Sequence, residues 1–387
     1  MEQMLRAARI FDGTRFHEDA AVSLTAGGRI AALHAAGTAL PRDLPVTDLG
    51  DAILAPGLVD LQVNGGGGEM IGPDTDAAQI ARICAAHIRL GATAILPTLI
   101  SDRPEVTAQV IRAGIDAGRS GVPGFAGLHL EGPHLDPARK GAHDANHLRP
   151  MQAADLHLLC EAARALPALK VTLAPEMVGL AQITALTEAG VLVSLGHSGC
   201  TAGTAQAAHA AGARCVTHLF NAMGGLMNRA PGLVGAALTT RLAAGIIADG
   251  VHVAPECLLV ALAMKAEPDL YLVSDAMAVA GSSAAHFRLN GRRILREGGR
   301  LTLEDGTLAG ADITLPQSIA HLIRLGVAPE RAVAMASRVP ADIIAAQDRG
   351  RITQGARGDF VVLSPDFTLQ HSYVAGVRQG DDATQKG

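Results

Sequence analysis

The sequence predicts an α/β protein: a (β/α)8 TIM-type barrel with a small β-sandwich domain built from both chain ends. Three observations carry that expectation. Between residues 55 and 345, short apolar runs alternate with helical stretches at βαβ spacing. The runs number eight, which favours a closed barrel over an open doubly wound sheet, and no GxGxxG joins the first strand to its helix. The flanking segments 1–54 and 346–387 share a different texture of short strands and turn pairs, each with too few apolar residues for a core of its own.

In chain order, segment 1–54 carries strand-like runs at 5–10, 21–24 and 29–33, punctuated by Asp12-Gly13 and Gly27-Gly28. The eight barrel candidates follow at 58–63, 92–96, 126–131, 171–174, 191–196, 215–219, 245–248 and 270–274, with helical stretches such as 76–90 and 201–211 between them. Each run is short and bounded by turn or polar residues, as a strand buried on both faces should be. Residues 287–308 read as a β excursion with Asn290-Gly291 and Asp305-Gly306 turns, and helices at 316–326 and 329–337 close the barrel. Runs at 359–363 and 373–377 then return the chain to the small domain.

Composition narrows the function classes. Of 387 residues 49% are hydrophobic and 18% charged, which suits a globular chain; with 2% aromatics and no Trp, aliphatic side chains must fill the core. A net charge of -5 gives no basic footprint for nucleic acid, yet one or two local arginines suffice for a phosphate. Cysteines 84, 160, 200, 215 and 257 are odd in number and lack CxxC spacing, as expected of reduced thiols. Charged residues break up the first twenty positions, and no apolar run approaches the roughly 20 residues of a membrane span. A cytoplasmic protein acting away from membranes is expected.

In such barrels the chemistry sits at the C-terminal ends of the strands. Marking polar residues there picks out Gln62 and Asn64 on strand one, His129 and Glu131 on strand three, and His197 and His218 after strands five and six. Asp249 and His252 follow strand seven, and Asp275 follows strand eight. Two imidazoles and a carboxylate converging on one rim suit a divalent metal with an open position for water, whose pKa falls toward about 7. Asp275 could take that water's proton and deliver it to a leaving group. Glu131, His197, His218 and Asp275 together therefore describe metal-assisted hydrolysis. His129, His134 and His209 read instead as hydrogen-bonded packing, and Cys200 as a small buried residue. The run Gly65–Gly68 reads as a tight loop before it reads as a phosphate cradle.

At these positions the sequence resembles the N-acetylglucosamine-6-phosphate deacetylases, a branch of the amidohydrolase superfamily. The matching pieces are Leu128-His-Leu-Glu-Gly-Pro133, Lys140-Gly-Ala-His143, Gly196-His-Ser198, Thr217-His-Leu-Phe-Asn-Ala-Met223, Pro231-Gly-Leu-Val-Gly235, Ile247-Ala-Asp-Gly-Val-His252, Ser274-Asp-Ala276 and Gly306-Thr-Leu-Ala-Gly310. They occur in family order and cover nearly the whole chain. The resemblance implies a metal held by Glu131, His197 and His218, with Asp275 as general base and then acid. It implies that His143 polarises the acetyl carbonyl or steadies the tetrahedral oxyanion beside the metal. Ala142, Asn221 and Ala222 would contact the sugar or phosphate, Arg229 and His252 the phosphate, and Leu308, Ala309 and Gly310 would close over the sugar. Many relatives carry His-x-His at the end of strand one; Gln62 and Asn64 stand there here, and amides are weaker ligands than imidazole. One divalent ion per subunit is therefore expected, zinc first and iron or another ion as alternatives. A homodimer is expected from the resemblance alone. Two other readings remain: deacetylation of a related sugar such as N-acetylgalactosamine 6-phosphate, and a silent amidohydrolase-like scaffold. The retained ligands and Asp275 argue against the scaffold.

Overall fold

The computed structural model describes residues 2–38, 41 and 43–380. Residue 1, 39–40, 42 and 381–387, which belong to the expected small-domain segments, lie outside the described residues. Eight parallel strands form the central sheet: β1 (Leu58–Val63), β2 (Ala92–Ile100), β3 (Leu128–Glu131), β4 (Leu169–Leu173), β5 (Leu192–Leu195), β6 (Cys215–Val216), β7 (Ala243–Ile246) and β8 (Leu270–Leu272). Each pairs with its neighbours in chain order, the topology of a (β/α)8 barrel. The β1–β8 seam closes differently. Val63 bridges Ala276 just beyond β8, while Met335 O and Ala336 O accept from Leu272 N and Val59 N. Asp60 also spans the seam, its carboxylate accepting from Gln62 N at 3.2 Å and Ser274 N at 3.2 Å. Burial, only partly offset by those bonds, pushes its pKa up to about 7.

Local signals place the helices. Helix Ala77–Arg89 begins where Asp76 accepts from Gln79 N at 2.7 Å, and it buries Ile80, Ile83, Cys84 and Ile88 against the sheet. Thr201 caps Ala202–Ala210 in the same way. The second strand is longer than expected, running through Pro97 to Ile100. A proline within a strand usually ends it for want of an N–H. Here the β1–β2 register slips, and Val63 N donates to Thr98 Oγ1 at 2.9 Å, so the ladder continues past Pro97.

Among the described residues, both chain ends form one eight-stranded sheet in which Ile53–Pro56 pairs antiparallel with Phe360–Leu363. Leu5, Ile10, Val22, Leu54, Ile352, Phe360 and Val362 share its core, so neither end has to bury its apolar residues alone. The excursion after β8 is a four-stranded antiparallel sheet (His286–Leu289, Arg292–Glu297, Arg300–Thr302, Leu308–Ala311) with a satellite core around Met277, Val279, Ile294 and Leu301. It rests on the barrel mouth, where Ala311 N donates to Asp275 O at 3.0 Å.

Candidate metal and substrate site

Glu131 ends β3, His197 and His218 each stand two residues past β5 and β6, and Asp275 three past β8. His197, His218 and Asp275 have left-handed backbones, with φ of 46°, 30° and 50°. Such conformations are sparsely populated by residues other than glycine and cluster at functional sites. Three at one rim point to a site independently of residue chemistry.

The donor atoms converge. Glu131 Oε1 lies 3.4 Å from His197 Nε2 and 3.1 Å from His218 Nε2, and the two imidazole nitrogens are 3.0 Å apart. Ligand atoms about 2.1 Å from a tetrahedral ion stand about 3.4 Å from one another, a spacing close to the one seen here. Burial would raise the Glu131 carboxyl, but the adjoining imidazoles of His197 and His218 hold it well below its usual range.

His143 is close enough to belong to the same group: its ligand atom, with those of Glu131 and His197, falls within 4.8 Å of the others. Its tautomer argues against coordination. Ser101 N–H donates to His143 Nδ1 at 3.2 Å, and Ser101 Oγ lies 2.8 Å from the same nitrogen. Nδ1 is thus an acceptor and Nε2 carries the proton. Burial, then the charge of His197, pushes the His143 pKa down to about 3, so the ring is a neutral donor. His197 is the reverse case. Its Nδ1 donates to Arg139 O at 2.8 Å, which leaves Nε2 bare for a metal.

The amides of strand one hold carboxylates. Gln62 Nε2 donates to Glu131 Oε1 at 3.1 Å and to Asp275 Oδ1 at 3.0 Å, and Asn64 Nδ2 to Asp275 Oδ1 at 2.7 Å. Burial and then the negative charge of Glu131 raise the Asp275 pKa, which suits a group that must accept a proton and return it. Beneath them runs a polar chain. His129 joins Thr98 Oγ1 at 3.2 Å and Thr172 Oγ1 at 2.7 Å, and Thr217 Oγ1 joins Thr172 at 2.7 Å and Ser194 at 2.6 Å. His129 is therefore hydrogen-bonded packing, as are His134 (to Arg149 O, 3.0 Å) and His209 (to Ala213 O, 2.7 Å).

A cavity of about 410 Å³ opens over this rim. It is lined by Glu131, Ala142, His143, His197, His218, Asn221, Ala222, His252, Asp275, Leu308 and Gly310, all expected site residues. The excursion sheet lies over one side, where Arg292 Nη2 donates to Ala142 O and so ties the sheet to the His143 loop. Gly310, at φ +71°, is required: a Cβ there would come within 2.4 Å of Met277 Cγ. Two expected residues are not brought in. Arg229 is exposed and outside the lining, and Ala309 is fully buried in the excursion's own core. The glycine run forms the hairpin Gly65–Gly66/Glu69–Met70, and Gly67 N and Gly68 N donate to Ala280 O and Ala278 O, so those amides are spent on folding. Sequence reasoning passed over Ser101 and the Arg139 carbonyl. Running strand two to its true end would have exposed Ser101; nothing in the sequence marks a backbone carbonyl.

Known proteins resemble this chain in sequence and in fold. Residues 53–378 match the Amidohydrolase family. The chain is 37% identical to an N-acetylgalactosamine-6-phosphate deacetylase of Shewanella sp. (strain ANA-3), over 86% of this chain and 85% of that protein. It is 36% identical to the N-acetylglucosamine-6-phosphate deacetylase of Homo sapiens, over 87% and 86%. The crystal structure of N-acetylglucosamine-6-phosphate deacetylase from Pasteurella multocida superposes with a TM-score of 0.94 at 29% identity, covering 98% of this chain and all (100%) of that one.

Proposed function

The chain belongs to the amidohydrolase family, and we propose that it hydrolyses the acetamide of N-acetyl-D-glucosamine 6-phosphate to D-glucosamine 6-phosphate and acetate, in amino-sugar catabolism. The observation that carries this reading is the convergence of Glu131, His197 and His218 beside the Asp275 carboxyl, on the wall of a cavity of sugar-phosphate size. Relatives of both sugar types, named above, supply the substrate class.

Glu131, His197 and His218 would hold one divalent cation per subunit, zinc in the first instance because two imidazoles and a carboxylate suit it, iron or another ion as alternatives. Such an ion supplies a water acidic enough to be deprotonated at neutral pH and draws electron density from a carbonyl. The chain's own groups do the rest. His143 Nε2–H donates to the acetyl oxygen, where negative charge develops as the carbonyl is attacked. Asp275 takes the proton of the attacking water and passes it to the sugar nitrogen as the C–N bond breaks. Asn221, Ala222 and Ala142 would contact the sugar or its phosphate, His252 and Arg229 the phosphate, and the 308–310 loop would close over the ring.

A homodimer fits the exposed apolar residues Leu226, Met227, Leu259, Val260 and Met264, and five free cysteines fit the reducing cytoplasm. No helix among the described residues is long and apolar enough to cross a membrane.

The test is acetate release from N-acetylglucosamine 6-phosphate, run beside N-acetylgalactosamine 6-phosphate and the unphosphorylated sugar. Asp275→Asn should lower kcat by about 10²–10⁴-fold while leaving metal bound near one ion per chain. A metal content near two would overturn the single-ion reading. A faster rate on the galactosamine epimer would reassign the substrate to the class of the Shewanella relative.

A further inference from the structure

His252 lines the cavity and carries a ring nitrogen that has no hydrogen-bond partner among the described residues. Its side chain is 6% exposed, yet Nε2 is buried without a hydrogen-bond partner. Buried polar atoms are left without partners rarely, and one on a cavity wall marks where a ligand atom belongs. The other face of the ring is fully committed. Asp249 Oδ2 accepts from Nδ1 at 2.6 Å, and Asp249 Oδ1 accepts from Val251 N and His252 N at 2.8 Å each. One carboxylate thus folds the loop after β7 and orients the ring that the loop carries.

We propose that Asp249 is a positioning residue, which holds the proton of His252 on Nδ1 and turns Nε2 toward the phosphate of the substrate. The inference rests on the proposed sugar-phosphate substrate and adds to it the group that gives His252 its direction. A carboxylate on Nδ1 forces the proton onto that nitrogen, so only Nε2 is left to meet a ligand. Asp249 remains an anion there: burial would lift its carboxyl, but the hydrogen bond and charge of His252 hold it below the usual range. Asp249 itself is absent from the cavity lining, so it acts through the imidazole.

The experiment compares Asp249→Asn with the unmutated metal-loaded enzyme on N-acetylglucosamine 6-phosphate and on the unphosphorylated sugar. Losing the carboxylate's charge should raise KM for the phosphorylated sugar about tenfold with kcat within about threefold, and weaken competition by inorganic phosphate by the same factor. On the unphosphorylated sugar KM should not move. In a His252→Gln background the same substitution should add nothing, because its route is gone. The proposal is overturned if Asp249→Asn raises KM equally for both sugars, or keeps its full effect without His252. Should Asp249→Asn fail to fold, the imidazole ¹⁵N shifts of His252 in the unmutated protein decide. A protonated Nδ1 supports the proposal, and a bare Nδ1 overturns it. An unmutated enzyme with no preference for the phosphorylated sugar would remove the phosphate reading itself. A preference left undiminished by Asp249→Asn removes only the role of Asp249.

Discussion

Two sets of expected site residues surround the barrel mouth, and they are built in different ways. Glu131, His197, His218 and Asp275 sit in a barrel strand or within three residues of its end. Asn221, Ala222, Arg229 and His252 lie further out, on the loops that follow β6 and β7. The first set is fixed by register with neighbouring strands, so the donor atoms of Glu131, His197 and His218 meet within 3.0–3.4 Å of one another. The second depends on local bonds, and it divides: His252 is pinned by Asp249, whereas Arg229 stays exposed on its loop. Strand ends thus preorganise the reacting groups, while loops can carry recognition groups that vary without disturbing the packed layers.

His143 tests that division most severely, because it belongs to a loop yet reaches the strand-built cluster. If Ser101 makes it a neutral Nε2–H donor, His143→Gln should lower kcat by about 10²–10³-fold, the usual loss on removing one donor to a developing oxyanion. Bound metal should be unchanged. Loss of metal in this variant would place His143 among the ligands and erase the distinction drawn from its tautomer.

The strand-built set should also depend on the seam that holds β1 to β8. Asp60 titrates near 7 in the folded protein against about 3.9 when unfolded. Between those values the folded state holds a proton that the unfolded state has lost. Stability from this group is therefore fully present below about pH 4, and is lost as pH rises through about 7. At about 1.4 kcal/mol per unit, the total reaches a few kcal/mol. In denaturant titrations from pH 4 to pH 8, Asp60→Asn should remove that decline, its advantage over the unmutated protein growing with pH. Parallel curves would show that the seam carboxyl titrates normally.

How much of this was legible in the sequence follows the same division. Glu131, His197, His218 and Asp275 could be read directly, because strand runs announce their ends and polar residues there are few. The tautomers could not, since they depend on the Arg139 carbonyl and Ser101, groups whose roles exist only after folding. Ser101 was further hidden by Pro97, which reads as a strand breaker although a side-chain acceptor on Thr98 carries the ladder past it. In the loops, motif spacing picked out the right segments and mixed the orientations. Leu308 and Gly310 line the cavity, but Ala309 between them turns into the excursion's core, since alternate residues of a strand point to opposite faces. The shared sheet of the two chain ends showed in their matching texture, though its pairing of Ile53–Pro56 with Phe360–Leu363 is a long-range contact that no local pattern encodes.

Arg229 gives the smallest and most discriminating effect. Its loop, 224–230, contains Gly224 and Gly225 and exposes Leu226 and Met227, so its guanidinium reaches phosphate only if the loop folds inward or a second subunit presents it. In either case Arg229→Met should raise KM for the phosphorylated sugar by up to about tenfold, leave kcat unchanged, and have no effect on the unphosphorylated sugar. The two routes separate on dilution. An arginine supplied by a partner loses its contribution as dimers dissociate, so the unmutated KM should climb toward that of the variant, whereas an inward-folding loop gives a KM independent of protein concentration. An unchanged KM in Arg229→Met would leave His252, oriented by Asp249, as the contact to the phosphate, and the loop-built set would then be pinned at one point.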